Sequence, residues 1–87
     1  MAYLGQDTDQ VRQFAKQLDG KANDINGLIS QLTSAVQAVD WKGADAQQFI
    51  SDWNGTHVPG LKKVVSALNT AAAVANRNAA EQDAASK

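Results

Sequence analysis

The stretch "DWKGADAQQFISDWNG" (residues 40–55) contains the tripeptide Trp-x-Gly twice. The first copy, Trp41 to Gly43, lies at the midpoint of the 87-residue chain and divides it into two arms of nearly equal length. Glycine readily adopts the positive φ angle that a chain reversal often needs. The first copy therefore predicts a turn over residues 40–44.

The second copy, Trp53 to Gly55, lies inside the second arm. Trp53 follows Phe49 by four positions, the spacing that places two side chains on one face of a helix. The second copy is therefore predicted to belong to a helix, with the Trp53 indole mostly in the core.

The first arm carries an apolar stripe with a seven-residue repeat, which predicts a helix over residues 7–39. Asp7, with Gln10 three positions later, resembles a capping box at its start. The repeat and its companions are Val11, Leu18, Ile25, Leu32 and Val39, then Ala15, Ala22, Ile29 and Val36, with Phe14 and Leu28 alongside.

The second arm is predicted to be a helix over residues 45–84, starting with a similar pattern at Asp45 and Gln48. Its apolar face includes Phe49, Trp53, Leu61 and Leu68. Pro59 interrupts this helix, and a proline clashes with the carbonyl four residues earlier. That residue is Gly55, which can tilt away, so we expect a kink near residue 59.

These patterns predict one all-α domain over residues 1–87, an antiparallel two-helix hairpin. Two helices cover each other along a single line, so their wide stripes would stay partly exposed. We therefore expect a second chain to complete a four-helix bundle. The predicted core and dimer stripe consists of Val11, Phe14, Leu18, Ile25, Leu28, Leu32, Val39, Phe49, Trp53, Leu61 and Leu68.

Composition argues against several classes of protein. The formal charge is −1, which gives no electrostatic basis for binding nucleic acid. Cysteine is absent, and no apolar run approaches the roughly 20 residues of a membrane span. The first ten residues lack the pattern of a cleaved signal peptide, so any export is expected to proceed without one.

Few side chains are suited to catalysis or to metal binding, and no enzymatic activity, cofactor or metal site is predicted. His57 is the single histidine, whereas a zinc site needs several converging ligands and a catalytic triad needs three groups in contact. The bundle and its binding surfaces are therefore the expected basis of function.

Taken together, the Trp41-x-Gly43 turn between two long amphipathic arms resembles the WxG family, small early-secreted-antigen-like proteins of type VII secretion. The run that includes Phe49, Trp53 and Pro59 before an alanine-rich segment is also similar to actinobacterial members. The resemblance implies a secretion module exported as a folded homodimer or as a heterodimer with a related WxG protein. It also implies recognition by the type VII secretion ATPase, with Trp41 and Gly43 as the secretion motif.

One feature departs from that family. Many members carry a Tyr-x-x-x-Asp/Glu signal after the second helix, whereas residues 77–87 contain no tyrosine. This departure favours an alternative, a cytosolic helical-bundle subunit or a chaperone-like partner of a larger secreted protein. Export and cytosolic retention therefore remain competing hypotheses at the level of sequence.

Overall fold

The computed structural model describes residues 7–86 as two long helical arms. The first arm is α1 (Thr8–Ala38), and the second comprises α2 (Ala44–Asp52), a π-helical turn (Trp53–His57) and α3 (Val58–Ala85). The described residues contain no strand, which confirms the all-α prediction. The arms pack as an elongated antiparallel hairpin of 66 × 17 × 15 Å. Within residues 7–86, no helix combines the length and apolar character needed to cross a bilayer.

The two arms begin in different ways. Asp7 caps α1, as the sequence predicts, because its Oδ1 accepts hydrogen bonds from the backbone N–H groups of Asp9 and Gln10 at 2.9 and 3.2 Å. The similar prediction for Asp45 is wrong. Gly43 occupies the N-cap position of α2 without a side-chain hydrogen bond. Gln48 instead donates to Asp52 one turn later, at 2.9 Å.

A narrow seam of small and medium side chains joins α1 to α3. Its least exposed members include alanines at seven-residue intervals, Ala15 and Ala22 on one helix and Ala72 and Ala79 on the other, each at most 1% exposed. Such small side chains let two helix axes approach closely. The half-buried or buried seam residues are Val11, Ala15, Leu18, Ala22, Ile25, Ile29, Thr33 and Val36, facing Val58, Leu61, Val65, Leu68, Ala72, Ala75, Ala79 and Gln82.

The chain stays helical through Pro59, and the widened turn before it accommodates the proline. The backbone N–H of Val58 donates to the carbonyl of Trp53, the five-residue spacing of a π-helix. Because proline has no backbone N–H, it leaves a carbonyl of the preceding turn without its usual donor. A π-helical turn shifts the hydrogen-bond pairing of the neighbouring backbone groups by one residue. A Cβ added at Gly55 would meet no heavy atom within 4 Å beyond the adjacent helix backbone, so no neighbouring side chain requires glycine at this position.

Large apolar side chains that precede seam residues form an uncovered surface, the apolar face. Phe14, Leu28, Leu32 and Val64 directly precede seam residues and are 46–54% exposed. Successive residues of a helix are about 100° apart, and α1 and α3 are antiparallel. Residues that precede the seam on either helix therefore lie on the same side of the hairpin.

Candidate functional site

The connection between the arms is tight and depends on Gly43. Its φ of 103° and ψ of −176° lie in a region that only glycine occupies readily. Its carbonyl accepts from the backbone N–H of Gln47 at 3.2 Å, and the N–H of Trp41 donates to the carbonyl of Val39 at 2.9 Å. Gly43 thus joins the turn directly to the first turn of α2.

Two aromatic rings meet on the outside of this connection. The ring centroids of Trp41 and Phe49 are 5.5 Å apart with the planes tilted by 49°, within the range of favourable aromatic pairs. Both residues remain 44% exposed, and Val39 beside them is 56% exposed. We call these three residues the tip patch. The tip patch thus combines Val39 from the end of the first arm, Trp41 from the connection and Phe49 from the first turns of the second arm.

The charges around the tip patch are weakly engaged. Lys42 lies 3.7 Å from the Asp40 carboxylate, and both side chains are close to 90% exposed. Ion pairs of this kind contribute little because water and salt screen them. The aromatic pair, rather than an ion pair, is therefore the better-defined side-chain contact at the tip.

The second Trp-x-Gly tripeptide has a different role. Trp53 is half-buried rather than mostly buried, and its indole Nε1 donates to the hydroxyl of Thr33 at 2.9 Å across the hairpin. Thr33 was not singled out from the sequence. Its position could have identified it. Thr33 is a polar residue four positions after Ile29, in line with the seam, and a buried indole N–H needs a hydrogen-bond acceptor.

His57 lies beside Trp53, with the two ring centroids 6.2 Å apart, and is exposed. No group of His, Cys, Asp or Glu within residues 7–86 is arranged to hold a metal ion.

The residues of the predicted core and dimer stripe divide into two groups. Val11, Leu18, Ile25, Trp53, Leu61 and Leu68 are half-buried within the hairpin. Phe14, Leu28, Leu32, Val39 and Phe49 are exposed. Leu32 lies outside the seam because a straight α-helix drifts off a strict seven-residue repeat, and Thr33 faces Trp53 in its place. The exposed group forms most of the apolar face and two thirds of the tip patch.

Comparison with known proteins gives no relative from which a role could be transferred: no family model, curated protein or solved structure matches the chain.

Proposed function

We propose that this chain is a small non-enzymatic module of type VII secretion, exported as a folded helical dimer and recognised by the secretion ATPase. The observation that carries the proposal is the tip patch. Trp41 is held exposed against Phe49 at 5.5 Å, beside a connection that needs glycine at position 43. An exposed, pre-positioned aromatic side chain is the type of anchor that dominates binding energy at protein interfaces.

The apolar face supports the dimeric part of the proposal. Its four large side chains are about half exposed in the single hairpin, although each would be stabilised by removal from water. Large apolar side chains left exposed on one side of a hairpin favour an interaction site. Gln17, Lys21 and Asp24 also precede seam residues and separate Phe14 from the other three. A second hairpin laid on this face would complete the four-helix bundle, with either another copy of this chain or a related WxG protein as the partner.

A second candidate function is that of a cytosolic bundle subunit or chaperone-like partner of a larger secreted protein. The half-exposed side chains of the apolar face favour it equally, since they would bind a partner with or without export. In this case the apolar face would still be covered by a partner, but Trp41 would have no part in export.

Culture fractionation separates the two candidates. The chain is detected with an antibody in supernatant and cells of the native host, with and without the gene for the secretion ATPase, and a cytosolic enzyme serves as the lysis control. We expect the chain in the supernatant of the intact strain only. Its confinement to cells, or equal amounts in both supernatants, would support the cytosolic candidate instead.

A further inference from the structure

A shallow, open groove with both polar and apolar lining lies on the side of the hairpin opposite the apolar face. Two adjoining hollows of about 560 and 390 Å³ share Asn54, Val58 and Lys62, and so form one trough between α1 and α3 beside the π-helical turn. On the α1 side it is lined by Ser30 and Ser34, which directly follow seam residues. We call this trough the lysine groove.

The hydrogen-bonding groups of the lysine groove are largely unused. The side chains of Ser30, Ser34 and Asn54 make no hydrogen bond within residues 7–86. Thr33 accepts from the Trp53 indole, which leaves its own hydroxyl hydrogen available to donate. With Ser66 on the α3 side, four hydroxyls and one amide therefore line the two banks of the trough.

The cations of the lysine groove are also without partners. Lys62 and Lys63 line it and form no ion pair with any described residue. Among the other described basic side chains, Arg12, Lys21, Lys42 and Arg77 each pair with a carboxylate, whereas Lys16 does not. No acidic residue lines either hollow. The groove thus combines positive charge with hydrogen-bond donors, the chemistry that binds a carboxylate.

The floor of the groove restricts the ligand further. Ile29, Val58 and Pro59 give it an apolar strip between the polar banks. A small inorganic anion would contact the lysines and hydroxyls and leave that strip wet. A peptide with both acidic and apolar side chains would satisfy the donors and cover the strip.

We propose that the lysine groove binds an extended acidic–apolar peptide segment of a partner protein. Lys62 and Lys63 attract the carboxylates, the hydroxyls of Ser30 and Ser34 fix them, and Val58 contacts the apolar side chains. This site is separate from the tip patch and the apolar face, so it stands or falls independently of the proposed role in secretion.

Peptide titration followed by NMR of the full ¹⁵N-labelled chain tests the proposal. The probe is acetyl-Leu-Glu-Leu-Glu-Leu-amide at low ionic strength, where weak charge contacts are measurable. Its uncharged counterpart carries Gln in place of Glu, and inorganic phosphate is the small-anion probe. We expect the Glu peptide to shift the amide resonances of Ser30, Ser34 and Lys62, with binding about fivefold or more tighter than the Gln peptide.

Two charge-matched double variants complete the experiment. Lys62→Gln with Lys63→Gln should lose the binding of the Glu peptide, whereas Lys16→Gln with Lys21→Gln, which removes the same charge from α1, should retain it. Circular dichroism checks that both variants stay helical. Equal binding of the Gln peptide or phosphate, retained binding in the first variant, or shifts confined to the apolar face would overturn the proposal.

Discussion

The indole Nε1 of Trp53 donates a hydrogen bond to the hydroxyl of Thr33, 2.9 Å away on the opposite arm. At the other end of the hairpin, the guanidinium of Arg12 on α1 pairs with the carboxylate of Asp83 on α3. Between these two cross-arm contacts, the seam alternates alanines with leucine, isoleucine and valine side chains. We expect the two polar contacts to add to the register that this packing defines.

The first prediction concerns this hydrogen bond. Thr33→Val keeps the shape of the side chain but removes the acceptor, so the half-buried indole N–H loses its partner. We expect the free energy of unfolding to fall by about 1–2 kcal/mol, measured by urea unfolding at fixed protein concentration. Thr70→Val, at an exposed position of α3, is the control and should change stability little. Equal effects of the two substitutions would show that the hydrogen bond does not stabilise the hairpin.

The second prediction concerns the turn. Gly43→Ala forces a side chain into a backbone conformation that only glycine readily adopts, so it should destabilise the hairpin by about 1–3 kcal/mol. Gly20→Ala is the matched control. Gly20 lies within α1 with nothing within 4 Å of an added Cβ, so this variant should be stabilised by about 0.5–1 kcal/mol. Thermal melts of both variants measure the difference, and a neutral Gly43→Ala would contradict the role of the positive φ angle.

The third prediction concerns association through the apolar face. Leu32→Asp places a charge on a side chain that is 50% exposed in the hairpin and would be buried in the dimer. We expect the variant to sediment as a monomer and to keep its helical circular dichroism spectrum. Gln31→Asp makes a similar change on an exposed neighbour outside the face and should leave the dimer intact. A wild-type chain that is a stable monomer at micromolar concentration would refute the prediction.

The fourth prediction separates the two tryptophans by stability. Truncating a fully buried aromatic residue costs about 3–5 kcal/mol, so half-buried Trp53 should lose about 2 kcal/mol on truncation. Trp41→Ala should cost about 1 kcal/mol because the ring is 44% exposed and contacts mainly Phe49. Melting temperatures of the two alanine variants, compared with wild type, decide the order. A larger loss for Trp41→Ala would mean that the two tripeptides have the opposite roles.

The sequence predicted the helical arms because their apolar periodicity is long and regular, and it predicted the Asp7 cap from a local pattern. It did not predict the N-cap of α2. The pattern at Asp45 is typical of a capping residue, but the helix already begins at Ala44, with Gly43 at the N-cap position. The π-helical turn also escaped prediction, because proline allows either a kink or a re-paired backbone and residue types do not distinguish them.

The candidate sites could be predicted only in part. Trp41 and Gly43 were identified from their position between the arms. The pairing of Phe49 with Trp41 depends on how α2 leaves the turn, which periodicity does not encode. The lysine groove brings together Ser30, Ser34 and Lys62 from different helices, so its composition required the register of the folded hairpin.

The export of Trp41→Ala tests the central claim most directly. The variant and wild type are expressed at equal levels in the native host, with Lys42→Ala as the control for a change at the neighbouring exposed position. Purified Trp41→Ala is checked for dimerisation and helicity, so that a folding defect is not mistaken for lost recognition. The account predicts that folded Trp41→Ala stays in the cells while wild type and Lys42→Ala reach the supernatant. Normal export of Trp41→Ala would contradict the assignment of the tip patch as the recognition site.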